Sequence, residues 1–166
     1  MSLLYYAVVS THVLAALFWL GGIFFLGVIG APVLRAVEPP AVRQRIFQQL
    51  GLRFRTAGWV AVGILVASGL AMLQLRGLLR WEGVLGAADF WRSPFGRSLA
   101  VKLAAVVTMV CVSAVHDFVL GPAAGRAETG SPRALRLRRR AALLARGNAL
   151  VGLVIVLAAV RLARGG

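Results

Sequence analysis

Acidic residues are scarce. The 166-residue chain has five Asp and Glu against 19 Lys and Arg, and charged residues of both signs reach only 14%. A water-soluble domain carries about 25%, so much of this surface faces something other than water. The single cysteine, Cys111, excludes an intramolecular disulfide and any cysteine-based zinc or iron–sulfur site. It lies in the apolar run 106–115, where it reads as a packing residue. Three methionines (Met1, Met72, Met109) and two histidines, with no Met-rich or His-rich tract, give soft Cu(I) few donors in one place. The excess of 14 positive charges would suit nucleic acid, but the arginines lie between apolar runs instead of along one helix face. That is how membrane topology is written, and we read no nucleic-acid partner.

Apolar residues, by contrast, make up 60% of the chain, and the mean hydropathy is +0.83. Leu3 to Leu34 contains no Asp, Glu, Lys or Arg. As a helix it is about 48 Å long, against a hydrocarbon core of about 30 Å. Without a basic start, and far longer than a signal-peptide core, it is expected to stay attached as the first span. Pro32 and the Glu38-Pro39-Pro40 stretch are expected to end it. Further apolar runs at 56–75, 98–120 and 141–163 predict three more spans, and no internal repeat is discernible. Backbone groups in lipid must be paired within the span or in a closed barrel. The fold is therefore read as all-α, a single four-transmembrane-helix bundle over 1–166.

Five arginines between Arg35 and Arg55 and seven between Arg126 and Arg146 lie on one side of the membrane. The other side has Arg76, Arg80, Arg92, Arg97, Lys102, Arg161 and Arg164. The positive-inside rule places the first group in the cytoplasm and both termini outside. Tyr5 and Tyr6 mark the outer edge of span one. Trp81, Phe90, Trp91 and Phe95 populate the second loop, where a short interfacial helix is expected.

Ionisable side chains within spans are costly and mark function by default. Here they are His12, Lys102, His116, Asp117 and Arg146. Counting from each span's outer edge puts His12 and Lys102 about 9 Å deep and His116 about 30 Å deep. The two histidines are thus about 21 Å apart in height, too far to share one metal. A neutral imidazole is a good ligand for iron, copper or zinc. Ala15, Ala16, Trp19 and Gly22 share its helical face, leaving room for a flat macrocycle on which Trp19 stacks. Span two offers Ser68, Gly69 and Met72 at a similar height. The plainer role for His12 is a hydrogen bond to a neighbouring helix. Lys102 either snorkels to the headgroups or serves as an amine ligand or a partner of carboxylates. His116 and Asp117 are read as a structural ion cluster with Arg53, Arg55 and Arg146, with His116 as a secondary metal ligand.

Two stretches carry a resemblance. Span one reads His12-Val-Leu-Ala-Ala-Leu-Phe-Trp-Leu-Gly-Gly-Ile-Phe-Phe and continues to Ala31-Pro32-Val33-Leu34-Arg35. Span three opens with Ser93-Pro94-Phe95-Gly96-Arg97-Ser98-Leu99-Ala100-Val101-Lys102-Leu103. Both resemble the copper-resistance D (CopD) family of bacterial membrane proteins. The order His12, Lys102, His116, Arg146, Asn148 is also similar to the four-helix, haem-b-associated protoporphyrinogen oxidase family. That second resemblance implies His12 and Lys102 as haem iron ligands. Ala149 stands where that family has an acidic residue, and no proline follows, which separates haem binding from porphyrinogen oxidation.

The reading that follows is a b-type haem protein of the bacterial inner membrane, acting in electron transport or a haem-linked oxidation. His12 and Lys102 hold the iron, Trp19 flanks the ring, and Arg97 or Arg76 meets the propionates. A quinone or another redox partner would exchange electrons with it. The alternatives are a copper uptake or resistance protein, with donors among His12, Met72, Met109, Cys111 and His116, and an accessory subunit without a ligand. Gly21, Gly22, Gly27 and Gly30 permit close helix contacts within or between chains, so a homo-oligomer is one option.

Overall fold

The computed structural model describes residues 2–79, 84–128 and 131–165; Arg80 and Trp81, counted above, lie outside them. Four helices are long and apolar enough to cross a membrane: Leu3–Arg35, Pro40–Leu75, Pro94–Arg126 and Pro132–Ala163. No strand occurs among the described residues. The protein is an all-α, multi-pass membrane bundle.

Helix starts follow local chemistry. Ser2, Ser93 and Ser131 are N-caps whose hydroxyls accept the backbone N–H three residues on, from Tyr5, Gly96 and Ala134. Prolines 40, 94 and 132 occupy first helical turns, where a missing N–H costs nothing. Span one consists of α1 (Leu3–Phe24), a π-helical turn (Phe25–Gly30) and α2 (Ala31–Arg35). Span two is α3 (Pro40–Leu75). A 3₁₀ turn (Val84–Gly86) and the short α4 (Ala88–Arg92) follow, the latter where an interfacial helix was expected. Span three comprises α5 (Pro94–Ala114), a second π-helical turn (Val115–Leu120) and α6 (Gly121–Arg126). Span four is α7 (Pro132–Ala163).

Pro32 does not end span one, contrary to expectation. A proline inside an α-helix clashes with the carbonyl four residues back and cannot donate to it. Here the turn before the proline is widened instead: Ala31 N–H reaches the Leu26 carbonyl and Gly121 N–H the His116 carbonyl, each five residues back. The helix thereby absorbs Pro32, and likewise Pro122, and continues for another turn.

The chain also contains a repeat that its sequence hides. The α, π, α order of span one recurs in span three 90 residues later, pairing Phe25 with Val115, Ala31 with Gly121 and Pro32 with Pro122. Buried positions recur at the same offset: Trp19 and Met109, Gly58 and Asn148, Val62 and Gly152, Ser68 and Ala158. Span one packs chiefly on span two, and span three on span four. The bundle is two helical hairpins of one design.

Its core is small. Trp19, Ala61, Val62 and Met109 are buried together, with Leu20, Ile23, Trp59 and Val151 against them. Large apolar side chains such as Leu14, Val28, Leu150 and Leu157 point outward and are more than 60% exposed. That inside-out distribution suits lipid. Between helices in lipid there is no hydrophobic driving force, so close contacts and polar ties hold the bundle. Gly58 and Gly152 flank the Trp19 indole, and Gly22 meets the Phe54 ring. Asn148 Nδ2 donates to Ser113 Oγ at 2.8 Å, joining spans three and four.

Candidate functional site

The first span brings His12 against span two. Its Nδ1 lies 2.8 Å from Ser68 Oγ, and Ser68 Oγ lies 2.5 Å from the Ile64 carbonyl. A hydroxyl has one proton. The short contact to Ile64, a pure acceptor, takes it, so Oγ accepts from His12 Nδ1–H. This arrangement favours the Nδ1–H tautomer, with the lone pair on Nε2; the Leu65 backbone also hydrogen-bonds the ring. Orientation of a ring by a bond to its other nitrogen is the usual support of a ligating histidine. Gly69 lies beside the same ring: a Cβ there would stand 3.6 Å from His12 Cε1. Ser68 and Gly69 are the span-two neighbours expected from height alone, and the plainer role of His12, a bond to a neighbouring helix, is realised as well.

Lys102, half-buried on α5, is close enough to His12 to interact with it electrostatically, and Arg76 in turn interacts with Lys102. In the repeat, Lys102 is the equivalent of His12, 90 residues on. Arg76, just past α3, donates through Nε and Nη2 to Tyr5 Oη at 2.9 and 2.7 Å. Its guanidinium also lies over the Tyr5 ring (5.7 Å) and the Phe95 ring (6.0 Å). One arginine therefore clamps together the ends of spans one, two and three nearest His12.

The remaining expected site residues are placed elsewhere. Trp19 is 6% exposed, wedged between Gly58 and Gly152 in the core two turns from His12. Arg97 is exposed and lines a groove between α5 and α7 together with Val101, Val154 and Arg161. His116 Nδ1 bonds Asp117 Oδ1 at 2.7 Å, and Trp59 Nε1 donates to Asp117 Oδ2 at 2.9 Å. Of the three arginines expected around this pair, Arg55 reaches it, through the Asp117 backbone carbonyl at 3.3 Å. Arg53 and Arg146 are exposed. The Trp59 tie has no signal in the sequence, since an indole's partner depends on how its helix is rotated.

The copper donors do not gather. Met109 is buried in the core, Cys111 is exposed, and no three His, Cys, Asp or Glu side chains come together among the described residues.

Comparison with known proteins places residues 48–162 in the family described as copper resistance protein D. The matched segment includes Ser68, Lys102 and His116 but not His12. A protein of Aquifex aeolicus (strain VF5), described as "Uncharacterized protein", is 31% identical over 110 residues. That match covers 66% of this chain and 66% of the relative, just under two thirds of its length. No solved structure matches the chain.

Proposed function

The chain belongs to the copper resistance protein D family, and from that premise we propose that it handles copper in a bacterial inner membrane, with both termini outside. The family match is the observation that carries this reading. Copper is here the cargo, not a resident cofactor. A transported ion needs sites strong enough to enter and weak enough to leave, and a bundle whose donors stand singly meets that condition. His12 is the outer-half contact: Ser68 holds its ring by Nδ1, and Nε2 offers a lone pair to the ion. His116 stands at the arginine-rich end with its Nδ1 engaged by Asp117.

The test is copper accumulation in cells expressing the chain, compared with an equally abundant His12→Ala variant, across a range of external copper. Wild-type protein is expected to change cellular copper, and His12→Ala to abolish most of that change. Copper content unaffected by the wild-type protein overturns the proposal.

One observation favours a second reading. Lys102 lies within electrostatic reach of His12 and Arg76 within reach of Lys102, and the Arg76 guanidinium at the rim suits the carboxylates of a haem. The donor types fit that group: an imidazole with a lone pair on Nε2, an amine at the equivalent position of the repeat, and a guanidinium at the rim. Bound there, haem b would supply one-electron redox chemistry. His12 would hold the iron, Ser68 would set the tautomer, and Arg76 would keep the outer helix ends closed over the site. Oxidised and dithionite-reduced spectra of protein from haem-replete cells separate the readings. A Soret band lost in His12→Ala selects haem, and its absence in wild-type protein after adding haemin excludes it.

A further inference from the structure

At the arginine-rich end of the bundle lies a cavity of about 1160 Å³, larger than the roughly 300–1,000 Å³ typical of small-molecule sites. Five arginines line it: Arg35, Arg43, Arg55, Arg126 and Arg138. They come from spans one, two, three and four, so the concavity exists only in the assembled bundle. Its walls between them are mostly apolar, with Phe47, Leu52, Pro122 and Ala142 beside Gln44 and Gln48.

Among the described residues the positive charge is only partly compensated. Asp117 is the acid in the lining, and its two carboxylate oxygens are engaged by His116 and Trp59. Arg55 donates to the Asp117 backbone carbonyl and lies over the Phe118 ring at 6.0 Å, with no carboxylate partner among the described residues. Arg43 takes the Arg35 carbonyl at 3.0 Å and Glu38 at 3.5 Å. Arg126 and Arg138 have no side-chain partner among the described residues. Guanidinium groups bind phosphate by parallel N–H bonds and are less strongly hydrated than ammonium. Several of them above apolar walls, at the ends of membrane-spanning helices, complement a molecule with an anionic phosphate head and hydrocarbon tails. Basic recesses between spans bind acidic lipid headgroups on this principle.

We propose that this cavity is a binding site for an anionic phospholipid, its phosphate held by Arg126, Arg138 and Arg55 and its acyl chains lying along the Phe47–Leu52 wall. The site is separate from His12 and does not depend on what His12 binds. It gives the arginine-rich end a defined ligand in the leaflet it faces.

The experiment titrates full-length protein in mild detergent with dioleoylphosphatidylglycerol, dioleoylphosphatidylcholine or sodium phosphate. Retention is read by native mass spectrometry and stability by thermal unfolding. The phosphatidylglycerol arm is expected to leave one lipid bound and to raise Tm by about 5–10 °C at saturation. In Arg126→Gln/Arg138→Gln, two arginines with no side-chain partner among the described residues, retention is expected to fall about 10–30-fold. Arg161→Gln/Arg164→Gln, at the opposite end, keeps it. Should the double variant fail to fold, the wild-type protein still decides, because high salt must weaken phosphatidylglycerol retention and leave phosphatidylcholine unaffected. Equal retention of phosphatidylcholine, undiminished binding by the Arg126/Arg138 variant, or an equal Tm rise with sodium phosphate alone overturns the proposal.

Discussion

The Ser68 hydroxyl has one proton and three neighbours that could take it, His12 Nδ1 and the Ile64 and Leu65 carbonyls, and the outcome decides what His12 can do. Given to Ile64, 2.5 Å away, the proton leaves Oγ as an acceptor for His12 Nδ1–H. Ser68→Ala removes that acceptor and so the preference between ring nitrogens. The variant should lose about 0.5–1.5 kcal/mol of stability, and metal affinity at His12 should fall about 10–100-fold. Ring ¹⁵N shifts of His12 provide the direct check: one protonated and one bare nitrogen in the wild type, averaged values in Ser68→Ala. An unaltered ring spectrum would return Ser68 to a packing role. This pair was legible in the sequence, because counting residues from the span ends put 12 and 68 at one height. The bond from Trp59 to Asp117 was not, although both residues stand out in an apolar chain. Height can be counted along a helix, whereas the rotation that turns two side chains toward each other is set by packing over the whole length.

Elements differ from their sequence reading mainly at prolines. A proline within a helical pattern is ordinarily a stop or a kink, and that rule was applied to Pro32. The alternative, a widened turn that satisfies the freed carbonyl from five residues on, has no distinctive residue pattern and emerges only when neighbours favour continuing the helix. At Gly96 the local rule and the structure agree. Ser93 Oγ accepts from Gly96 N–H at 3.0 Å and donates to the Phe90 carbonyl at 2.6 Å, folding α4 back onto the start of α5. A Cβ on Gly96 would collide with the Phe90 carbonyl and the Trp91 backbone. Backbone cannot swing aside as the Phe54 ring can opposite Gly22. Gly96→Ala should therefore cost about 3 kcal/mol, the upper end for overpacking, and Gly22→Ala clearly less. Thermal unfolding of the two variants in one detergent measures the difference, and a Gly96→Ala protein as stable as wild type would refute the corner's role.

At the scale of the whole molecule, the repeat accounts for the feature that composition and span counting left approximate. A height counted from a span boundary carries the error of that boundary, about one turn or 5 Å. Equivalent positions in two hairpins of one design share a level wherever the membrane begins, and residues 12 and 102 are such positions. The four-helix class was legible because lipid forces long apolar runs. The repeat was not, because lipid asks only that a position be small or apolar: Trp19 answers to Met109 and Gly58 to Asn148 with no identity between them. Ser68, which orients His12, answers to Ala158, so the second hairpin has the amine but lacks the hydroxyl that would orient an imidazole. This asymmetry makes the equivalence testable by exchange. His12→Lys alone should abolish ligand binding at the site. His12→Lys with Lys102→His restores an imidazole and an amine on opposite hairpins, and should regain binding at about 10–100-fold lower affinity, because the ring at 102 is unsupported. Adding Ala158→Ser supplies the missing acceptor and should recover most of that loss. Affinities measured by titration on the three proteins would sort the possibilities: partial recovery in the double exchange, strengthened by Ala158→Ser, means the hairpins present the two positions to one shared site. No recovery in either exchange means that His12 acts with span two alone and that the amine of Lys102 belongs to the membrane surface.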